Sequence, residues 1–291
     1  MKTALLLALV LRPPLGLDLY MPVPENNPLT PAKIALGRRL FFDKRLARDR
    51  TLSCATCHDP KLAFSDGRKF AHGINGAEGN RNAPAIVNRG YGESFFWDGR
   101  AKSLERQVLE PILNPKELGM TEAEVERRTG LKIAEVAAAL ASYVRTIRSG
   151  NSPYDKYISG DAKALSAQAQ AGLAVFRGKG RCTICHVGPN LTDERFHNTG
   201  VAWRDGKLVD VGAGEGRFKV PTLREVALTA PYMHDGSLRN LEEVIDYYDR
   251  GGNANPYLDE DLRPLHLSPE EKISLVELLR SLSGTIREGK S

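Results

Sequence analysis

The sequence predicts an all-α protein with few or no strands, built from two helical domains that are related by internal duplication. Apolar residues recur at the spacing of three to four that is typical of helices, and the period-two alternation of strands is scarce. The same short motifs also occur in the same order in both halves of the 291-residue chain. A chain of this length can form two domains of ordinary size, each with its own hydrophobic core.

Three segments carry the clearest helical signals. Thr30-Pro31 is predicted to begin a helix that runs through Leu36. Ser268-Pro269-Glu270-Glu271 is a capping box with proline at the first helical position, and it opens a C-terminal helix. The third segment has an apolar helix face that comprises Ile133, Val136, Leu140, Tyr143, Val144 and Ile147. By contrast, the Gly- and Pro-rich ranges 73–84 and 206–221 are predicted to be loops.

All four cysteines lie in two copies of one motif, Cys54-Ala55-Thr56-Cys57-His58 and Cys182-Thr183-Ile184-Cys185-His186. C-x-x-C-H is the attachment signature of c-type haem. The two thiols can bond to the two vinyl groups of one porphyrin, and the histidine is placed to ligate the iron. The sequence therefore predicts two covalently bound haem c groups in cytochrome c-like domains, with His58 and His186 as iron ligands.

Two other interpretations of the cysteines compete with haem. A pair of C-x-x-C motifs could hold one zinc ion, and a single C-x-x-C could be a dithiol redox site. Zinc modules usually bring their pairs close together, whereas Cys57 and Cys185 stand on opposite sides of a long helical stretch. Neither alternative explains why a histidine follows both pairs, so two haems are favoured.

The repeat continues beyond the cysteine motifs. The segment 64–68 corresponds to the segment 191–195, and Trp97-Asp98-Gly99 corresponds to His234-Asp235-Gly236. A helix is predicted to begin at Ser103 in the first half and at Asn240 in the second. We place the domain boundary between residues 150 and 160, which gives an N-terminal domain of residues 21–155 and a C-terminal domain of residues 156–291.

The two halves differ at one aligned position, where the first has Pro111 and the second has Tyr248. A tyrosine phenolate can ligate haem iron, whereas a proline ring cannot. If both positions overlie their haems, the second iron has six ligands and the first is open to peroxide. The alternative for Tyr248 is a buried tyrosine that is hydrogen-bonded in the core.

Gln107 and Glu117 lie on either side of Pro111 in the sequence, near the iron that is predicted to be open. A carboxylate can move a proton from one oxygen of peroxide to the other, which assists cleavage of the O–O bond. Taken alone, the turn that contains Glu117 would be interpreted as a solvated charge.

Together these residues resemble the bacterial di-haem cytochrome c peroxidase family, including its MauG-like branch, which oxidises residues in partner proteins. The resemblance extends from about Leu29 to near the C-terminus. The motifs that carry it are Leu40-Phe41-Phe42-Asp43, Arg81-Asn82-Ala83-Pro84, Phe96-Trp97-Asp98-Gly99-Arg100, Val220-Pro221-Thr222-Leu223-Arg224 and Ala230-Pro231-Tyr232-Met233-His234-Asp235-Gly236.

The resemblance implies a role for each of these sites. The His58 haem would react with peroxide, with Glu117 and Gln107 on its distal side, and the His186 haem would transfer electrons. Trp97 would lie between the two haems and relay charge, and the alternative for it is an ordinary core aromatic residue. A Ca²⁺ ion between the domains would be bound by the Asn82 side chain and the Thr229 and Pro231 carbonyls.

Two positions distinguish the branches of the family. Ordinary members have methionine at the position of Tyr248, and the MauG-like branch has tyrosine. Many peroxidases also carry a histidine that caps the resting first iron, which His72 matches, and the MauG-like branch lacks it. A loop histidine in solvent is the alternative for His72, and Met233 is interpreted as a packing residue rather than an iron ligand.

We therefore expect a periplasmic di-haem peroxidase that reduces hydrogen peroxide with electrons from a small cytochrome c or cupredoxin. The alternatives are a MauG-like enzyme that oxidises a partner protein and, less favoured, a non-enzymatic electron carrier with both irons capped. A homodimer is left open. The net charge of +5 has no basic block, so no nucleic-acid partner is expected.

The N-terminus, residues 1–20, is predicted to be a signal-like or anchor segment. Lys2 precedes an apolar run from Ala4 to Leu11, which is too short to span a bilayer and is similar to the central region of a secretory signal. No clear cleavage site follows it. Export to the periplasm is expected, since bacterial c-type haem is attached outside the cytoplasm.

Overall fold

The computed structural model describes residues 12–289. Within this range the chain forms nine α-helices and six short β-strands, so the prediction of an all-α fold is wrong. The strands are two or three residues long, and they form where loops run side by side. Segments this short show no alternation of side chains in the sequence, which is why the pattern did not reveal them.

The α-helices are connected mainly by long loops and short 3₁₀ turns. The predicted starts at Thr30, Ser103, Asn240 and Ser268 are confirmed, because each of these side chains accepts a hydrogen bond from the backbone three residues later. The helices are α1 (Pro31–Phe41), α2 (Cys54–Cys57), α3 (Leu104–Leu113), α4 (Glu122–Thr129), α5 (Ile133–Val144), α6 (Pro153–Ile158), α7 (Ala167–Arg177), α8 (Leu241–Asp249) and α9 (Pro269–Arg280).

The strands pair into three two-stranded antiparallel sheets. They are β1 (Arg148–Gly150), β2 (Phe196–His197), β3 (Trp203–Arg204), β4 (Lys207–Leu208), β5 (Phe218–Lys219) and β6 (Thr285–Arg287). Two of them, β4 and β5, lie in the range 206–221 that was predicted to be a loop. The pairing of β1 with β6 returns the C-terminus to the first half of the chain, where Ile286 packs on the first core.

The described residues form two hydrophobic cores. The first is built from residues between Leu40 and Ile147, and it includes the buried face predicted for α5. The second is built from residues between Leu165 and Leu282. Helix α6 packs against the second core through Tyr154 and Tyr157. The domain limits at residues 21, 155 and 156 stay a prediction.

One glycine in each half permits a close crossing of two helices. A Cβ atom on Gly37 of α1 would lie 1.9 Å from the Ala139 carbonyl oxygen of α5. A Cβ atom on Gly172 of α7 would lie 2.0 Å from the Ser274 carbonyl oxygen of α9. Because only glycine lacks this atom, it lets each helix approach the backbone of its partner. The helix before each cysteine motif is thereby held against the last helix of its half.

Part of the predicted N-terminal segment contacts the folded body. Residues 1–11 lie outside the described residues. The Asn151 amide donates a hydrogen bond to the Leu15 carbonyl at 2.9 Å, and Arg224 donates to the Gly16 carbonyl at 2.7 Å. Among the described residues, no helix has the length and apolar character needed to cross a membrane.

Candidate active site

Both cysteine motifs open onto one cavity of about 970 Å³. The structure brings every site residue predicted from the sequence to its lining. They are Cys54, Cys57, His58, His72, Asn82, Trp97, Gln107, Glu117, Cys182, Cys185, His186, Thr229, Pro231 and Tyr248. Residues as far apart in the chain as Cys54 and Tyr248 therefore share one space.

The two histidines of the motifs have the same hydrogen-bond pattern. His58 Nδ1 donates to the Phe64 carbonyl oxygen at 3.1 Å, and His186 Nδ1 donates to the Leu191 carbonyl oxygen at 3.0 Å. Burial lowers the pKa of both imidazoles, so both are neutral at physiological pH. A hydrogen bond at Nδ1 orients the ring and leaves Nε2 as the nitrogen that can bind a metal.

The cysteines are free and lie beside these histidines. In the short helix α2, Cys54 and Cys57 are three residues apart and so lie on one face. Burial raises the pKa of Cys54 and of Cys182 to about 12, which keeps both as neutral thiols before any bond forms. Two sets of two thiols and one oriented imidazole on the lining of a shared cavity fit two haem c groups.

Near the first motif, Glu117 lies in the turn that follows α3. Asn114 caps α3, and its Nδ2 donates a hydrogen bond of 2.7 Å to Glu117 Oε1. Burial raises the pKa of Glu117, although the Asn114 hydrogen bond acts in the opposite direction. A half-buried carboxylate with a raised pKa is well suited to accept and return a proton.

Gln107 and Pro111 both lie on α3 and line the cavity. They are four residues apart, so they lie on the same side of the helix. Gln107 offers an amide that can donate and accept hydrogen bonds, whereas Pro111 offers no ligand atom. This side of the first site has hydrogen-bonding groups and no protein ligand from α3.

Tyr248 and its neighbour Tyr247 have different environments on α8. The Tyr247 hydroxyl donates a hydrogen bond of 2.7 Å to the Thr199 carbonyl oxygen, and the residue is buried in the second half. Among the described residues, the Tyr248 hydroxyl has no hydrogen-bond partner, and the residue lines the cavity. Burial raises the pKa of Tyr248. Tyr247 is thus the hydrogen-bonded core tyrosine, and Tyr248 is not.

Trp97 is tied to loops from both halves of the chain. Its indole Nε1 donates a hydrogen bond of 2.8 Å to the Asn82 carbonyl oxygen. Its own carbonyl oxygen accepts a hydrogen bond of 2.8 Å from the Lys219 amide in β5. These contacts hold the indole at the cavity lining, where both cysteine motifs also lie.

The three residues predicted to bind calcium lie in two connected loops. The Asn82 amide donates a hydrogen bond of 2.7 Å to the His234 carbonyl oxygen, which joins its loop to the one that contains Thr229 and Pro231. Asn82 Nδ2 donates a hydrogen bond to the Arg68 carbonyl oxygen at 2.6 Å. This contact does not use the Asn82 Oδ1 atom, which can therefore act as a metal ligand. Oxygen ligands of this kind suit a hard cation.

His72 lies at the edge of the cavity, and its Nε2 is 3.5 Å from Glu78 Oε1. Both side chains are about half exposed. The structure therefore places His72 next to a carboxylate, and capping of the first iron by His72 stays a prediction.

Two polar clusters at the cavity were not predicted from the sequence. His197 donates hydrogen bonds to Asp259 at 2.5 Å and to Asp193 at 3.0 Å, beside Cys185. Lys219 and Arg89 are buried around Glu194. Each cluster needs a residue from a remote part of the chain, Asp259 in the first and Arg89 in the second, so local spacing does not reveal it. A lysine in an apolar stretch, as in Phe218-Lys219-Val220, is the only signal that could have indicated the second cluster.

The sequence and the fold match proteins of one family. A family model for di-haem cytochrome c peroxidase matches residues 31–163. Methylamine utilization protein MauG of Methylorubrum extorquens is 41% identical to this chain, over 90% of this chain and 81% of that protein. The chain belongs to the di-haem cytochrome c peroxidase family. Cytochrome c551 peroxidase of Pseudomonas aeruginosa is 32% identical, over 91% of this chain and 84% of that protein.

A solved structure extends this similarity to three dimensions. A MauG-like protein associated with microbial copper homeostasis superposes with a TM-score of 0.83 and 35% identity, over 92% of this chain and 94% of that one. Membership of the family implies two haem c groups and makes this chain an oxidoreductase that uses peroxide. The prediction of two haems from the paired cysteine motifs is confirmed at this level.

Proposed function

We propose that this protein reduces hydrogen peroxide in the periplasm, at a site formed by His58, Gln107 and Glu117. When bound, the two haems supply the redox chemistry, in which each peroxide takes up two electrons and two protons to give two waters. The observation that carries the proposal is the difference between the two halves. Pro111 offers no ligand to the first iron, whereas the aligned Tyr248 offers one to the second.

Glu117 acts as the acid and base for peroxide. Asn114 holds Oε1, which leaves Oε2 to take a proton from one peroxide oxygen and to deliver it to the other. The raised pKa of Glu117 makes it a stronger base than an ordinary glutamate, and therefore a better proton acceptor. Gln107 holds the peroxide through its amide, so that the oxygen that loses the proton stays near the carboxylate.

Tyr248 is assigned as the second protein ligand of the iron that His186 binds. Its position in the cavity and its unpaired hydroxyl support this role over that of a core tyrosine. Phenolate is one of the axial ligands that proteins use for haem iron. Trp97 is assigned to carry electrons between the two sites, because it is held by hydrogen bonds to both halves.

We also assign a Ca²⁺ site to the Asn82 side chain and the Thr229 and Pro231 carbonyls, with water completing the shell. The unpaired Asn82 Oδ1 and the linked loops support it. Metal analysis of the purified protein should find one calcium per chain, and Asn82→Ala should lose it. Equal calcium in both proteins would contradict the assignment.

Internal duplication of one haem-binding domain explains several matched features of the two halves. Gly37 and Gly172 are 135 residues apart, and so are the carbonyls of Ala139 and Ser274 that they approach. The isolated bridge between Phe95 and Ala101 likewise recurs between Tyr232 and Leu238. We infer that each half, divided near residue 155, is one copy of this domain.

The electron donor proposed for the peroxidase is a small cytochrome c or a cupredoxin. Oxidation of residues in a partner protein is the second candidate function, and two observations favour it. Tyr248 occupies the position that distinguishes the MauG-like branch, and the 41% identical relative is named MauG. In both cases peroxide is the oxidant, and only the source of electrons differs.

The experiment that tests the peroxidase is a titration of the ferric holoprotein with hydrogen peroxide, followed by absorption spectroscopy and by oxidation of a reduced cytochrome c. A spectral change at the first equivalent, with two cytochromes oxidised per peroxide, is expected. Repeating it after one-electron reduction tests whether activation is needed. Spectra that do not respond to peroxide in either state would identify an electron carrier and overturn the proposal.

A further inference from the structure

Three buried lysine or arginine residues line the cavity, and they differ in how their charges are balanced. They are Arg89, Lys219 and Arg224, which are exposed by 7%, 8% and 2%. Arg224 has a carboxylate of its own, because its Nη1 donates to both oxygens of the equally buried Asp155 at 2.7 and 2.6 Å. This pair is electrically neutral and needs nothing from the cavity.

Arg89 and Lys219, by contrast, share the single carboxylate of Glu194. Arg89 donates to both Glu194 oxygens, at 2.6 and 3.0 Å, and also to the Ser94 carbonyl oxygen. This bidentate arrangement uses the best hydrogen-bonding positions of the carboxylate. Lys219 Nζ is left 3.7 Å from Glu194 Oε2, which is too long for a hydrogen bond.

The Arg89–Glu194–Lys219 cluster therefore has a net charge of +1 in a buried position whenever Lys219 is protonated. Among the described residues, the Lys219 ammonium donates no hydrogen bond, although it has three N–H groups to satisfy. Burial, together with repulsion from Arg89, lowers the pKa of Lys219 to about 7. A buried ammonium whose one counter-charge is 3.7 Å away and already shared with Arg89 is unfavourable, so an anion in the cavity would stabilise the cluster.

We propose that Lys219 binds a propionate carboxylate of one of the two haems and completes the charge balance of this cluster. Lys219 and Arg89 line the cavity, whereas Glu194 does not, so the excess positive charge faces the space that fits the haems. A haem propionate is the carboxylate that this space would contain. The inference depends on the presence of haem and not on the peroxide chemistry, so each can fail without the other.

A bound carboxylate and a small anion from solvent would offer Lys219 the same chemistry, and the two can be distinguished by salt. A solvent anion would dissociate when chloride is replaced by a bulky sulfonate at constant ionic strength. A haem carboxylate would stay in place, since it is covalently part of the cofactor. The reduction potentials of the wild-type holoprotein are therefore expected to be independent of chloride. A chloride dependence that Lys219→Gln abolishes would assign the site to a solvent anion and overturn the proposal.

The main test compares the reduction potentials of both haems in Lys219→Gln, Lys219→Arg and Lys207→Gln. Lys207 is an exposed lysine of β4 and serves as the matched control. Loss of a cation beside a propionate favours the ferric state. In Lys219→Gln, the reduction potential of one haem should fall by about 59 mV. This corresponds to a change of about tenfold in its ferric-to-ferrous ratio at a given applied potential. Lys219→Arg and Lys207→Gln should keep the wild-type potentials.

Haem content, measured as the pyridine haemochrome, shows whether each variant has assembled. A Lys219→Gln protein that has both haems and unchanged potentials would overturn the proposal. If Lys219→Gln does not assemble, ¹⁵N-lysine labelling of the wild type replaces it, with Lys219→Arg used for assignment. The Lys219 ammonium signal should then shift between the ferric and ferrous states. A signal that is unaffected by the redox state would show that no haem group is bound there.

Discussion

Asn114 Nδ2 donates a hydrogen bond of 2.7 Å to Glu117 Oε1, and this contact fixes one oxygen of the proposed acid–base residue. The same turn is tied to the loop before it, because the Ile74 amide donates to the Glu117 carbonyl oxygen at 2.9 Å. Glu117 is thus held by one hydrogen bond to its side chain and by another to its backbone. A proton-transfer group held in this way needs little reorganisation during the reaction.

Glu117→Gln is expected to lower the rate of peroxide reduction by about 100- to 10,000-fold, which is the usual contribution of acid–base catalysis. The base must be deprotonated, so the wild-type rate should fall as the pH drops through the pKa of Glu117. Because burial raises this pKa, the fall should lie above 4.5, the ordinary value. Stopped-flow rates across pH would measure both effects, and the acidic fall should be absent in the variant.

Asn114→Leu tests the position of the carboxylate without removing it. The Asn114 hydrogen bond lowers the pKa of Glu117, so its loss should move the acidic fall in rate to higher pH. The rate above this fall should decrease less than in Glu117→Gln. A pH profile identical to that of the wild type would show that Asn114 does not hold the reactive carboxylate.

Tyr248→Phe is expected to open the second iron to external ligands, and Tyr247→Phe is the matched control. Cyanide titration of the ferric wild type should show one binding site per chain, and the Tyr248 variant should show two. Tyr247 bonds to the Thr199 carbonyl, so its variant should lose about 1 kcal/mol of stability and keep a single cyanide site. One site in both variants would remove Tyr248 from the ligand set.

His72→Ala tests the predicted capping of the first iron. Capping requires His72 to leave its contact with Glu78, so this histidine cannot do both. If His72 caps the iron, the variant should change the resting ferric spectrum and remove any delay before the first turnover. Glu78→Gln serves as the control, since it removes only the contact. An unchanged spectrum and unchanged activation in His72→Ala would exclude the role.

The buried pair of Arg224 and Asp155 is expected to contribute strongly to stability. Both side chains are 1% exposed, so Asp155→Asn leaves the arginine without a counter-charge and should cost about 3–5 kcal/mol. Glu242→Gln removes one partner of an ion pair that is 55% exposed on both sides, and it should cost at most about 0.5 kcal/mol. Denaturant unfolding of the holoproteins would measure both, and equal losses would contradict the expectation.

The repeated motifs made much of the architecture predictable. Ser103 and Asn240 were identified as helix starts from their place in the repeat, and both cap a helix as expected. The strands escaped prediction because pairing such as that of Arg148 with Arg287 depends on segments that are remote in the chain. A two- or three-residue strand is stabilised by its partner and has no pattern of its own.

The sequence by itself determined the cofactor chemistry of this protein, because Cys-x-x-Cys-His places two thiols and an imidazole within one turn of chain. It also identified the position at which the halves differ, since Pro111 and Tyr248 can be aligned by counting. Local spacing is enough for both, as the residues concerned follow one another closely or occur at a constant offset.

Only the tertiary structure decided which tyrosine of α8 has its hydroxyl satisfied, that Asn114 holds Glu117, and that Lys219 shares one carboxylate with Arg89. Each depends on which groups meet after the chain has folded. The net charge of a buried cluster depends on which residues from separate loops come together. The spacing of residues along the chain does not specify which ones do.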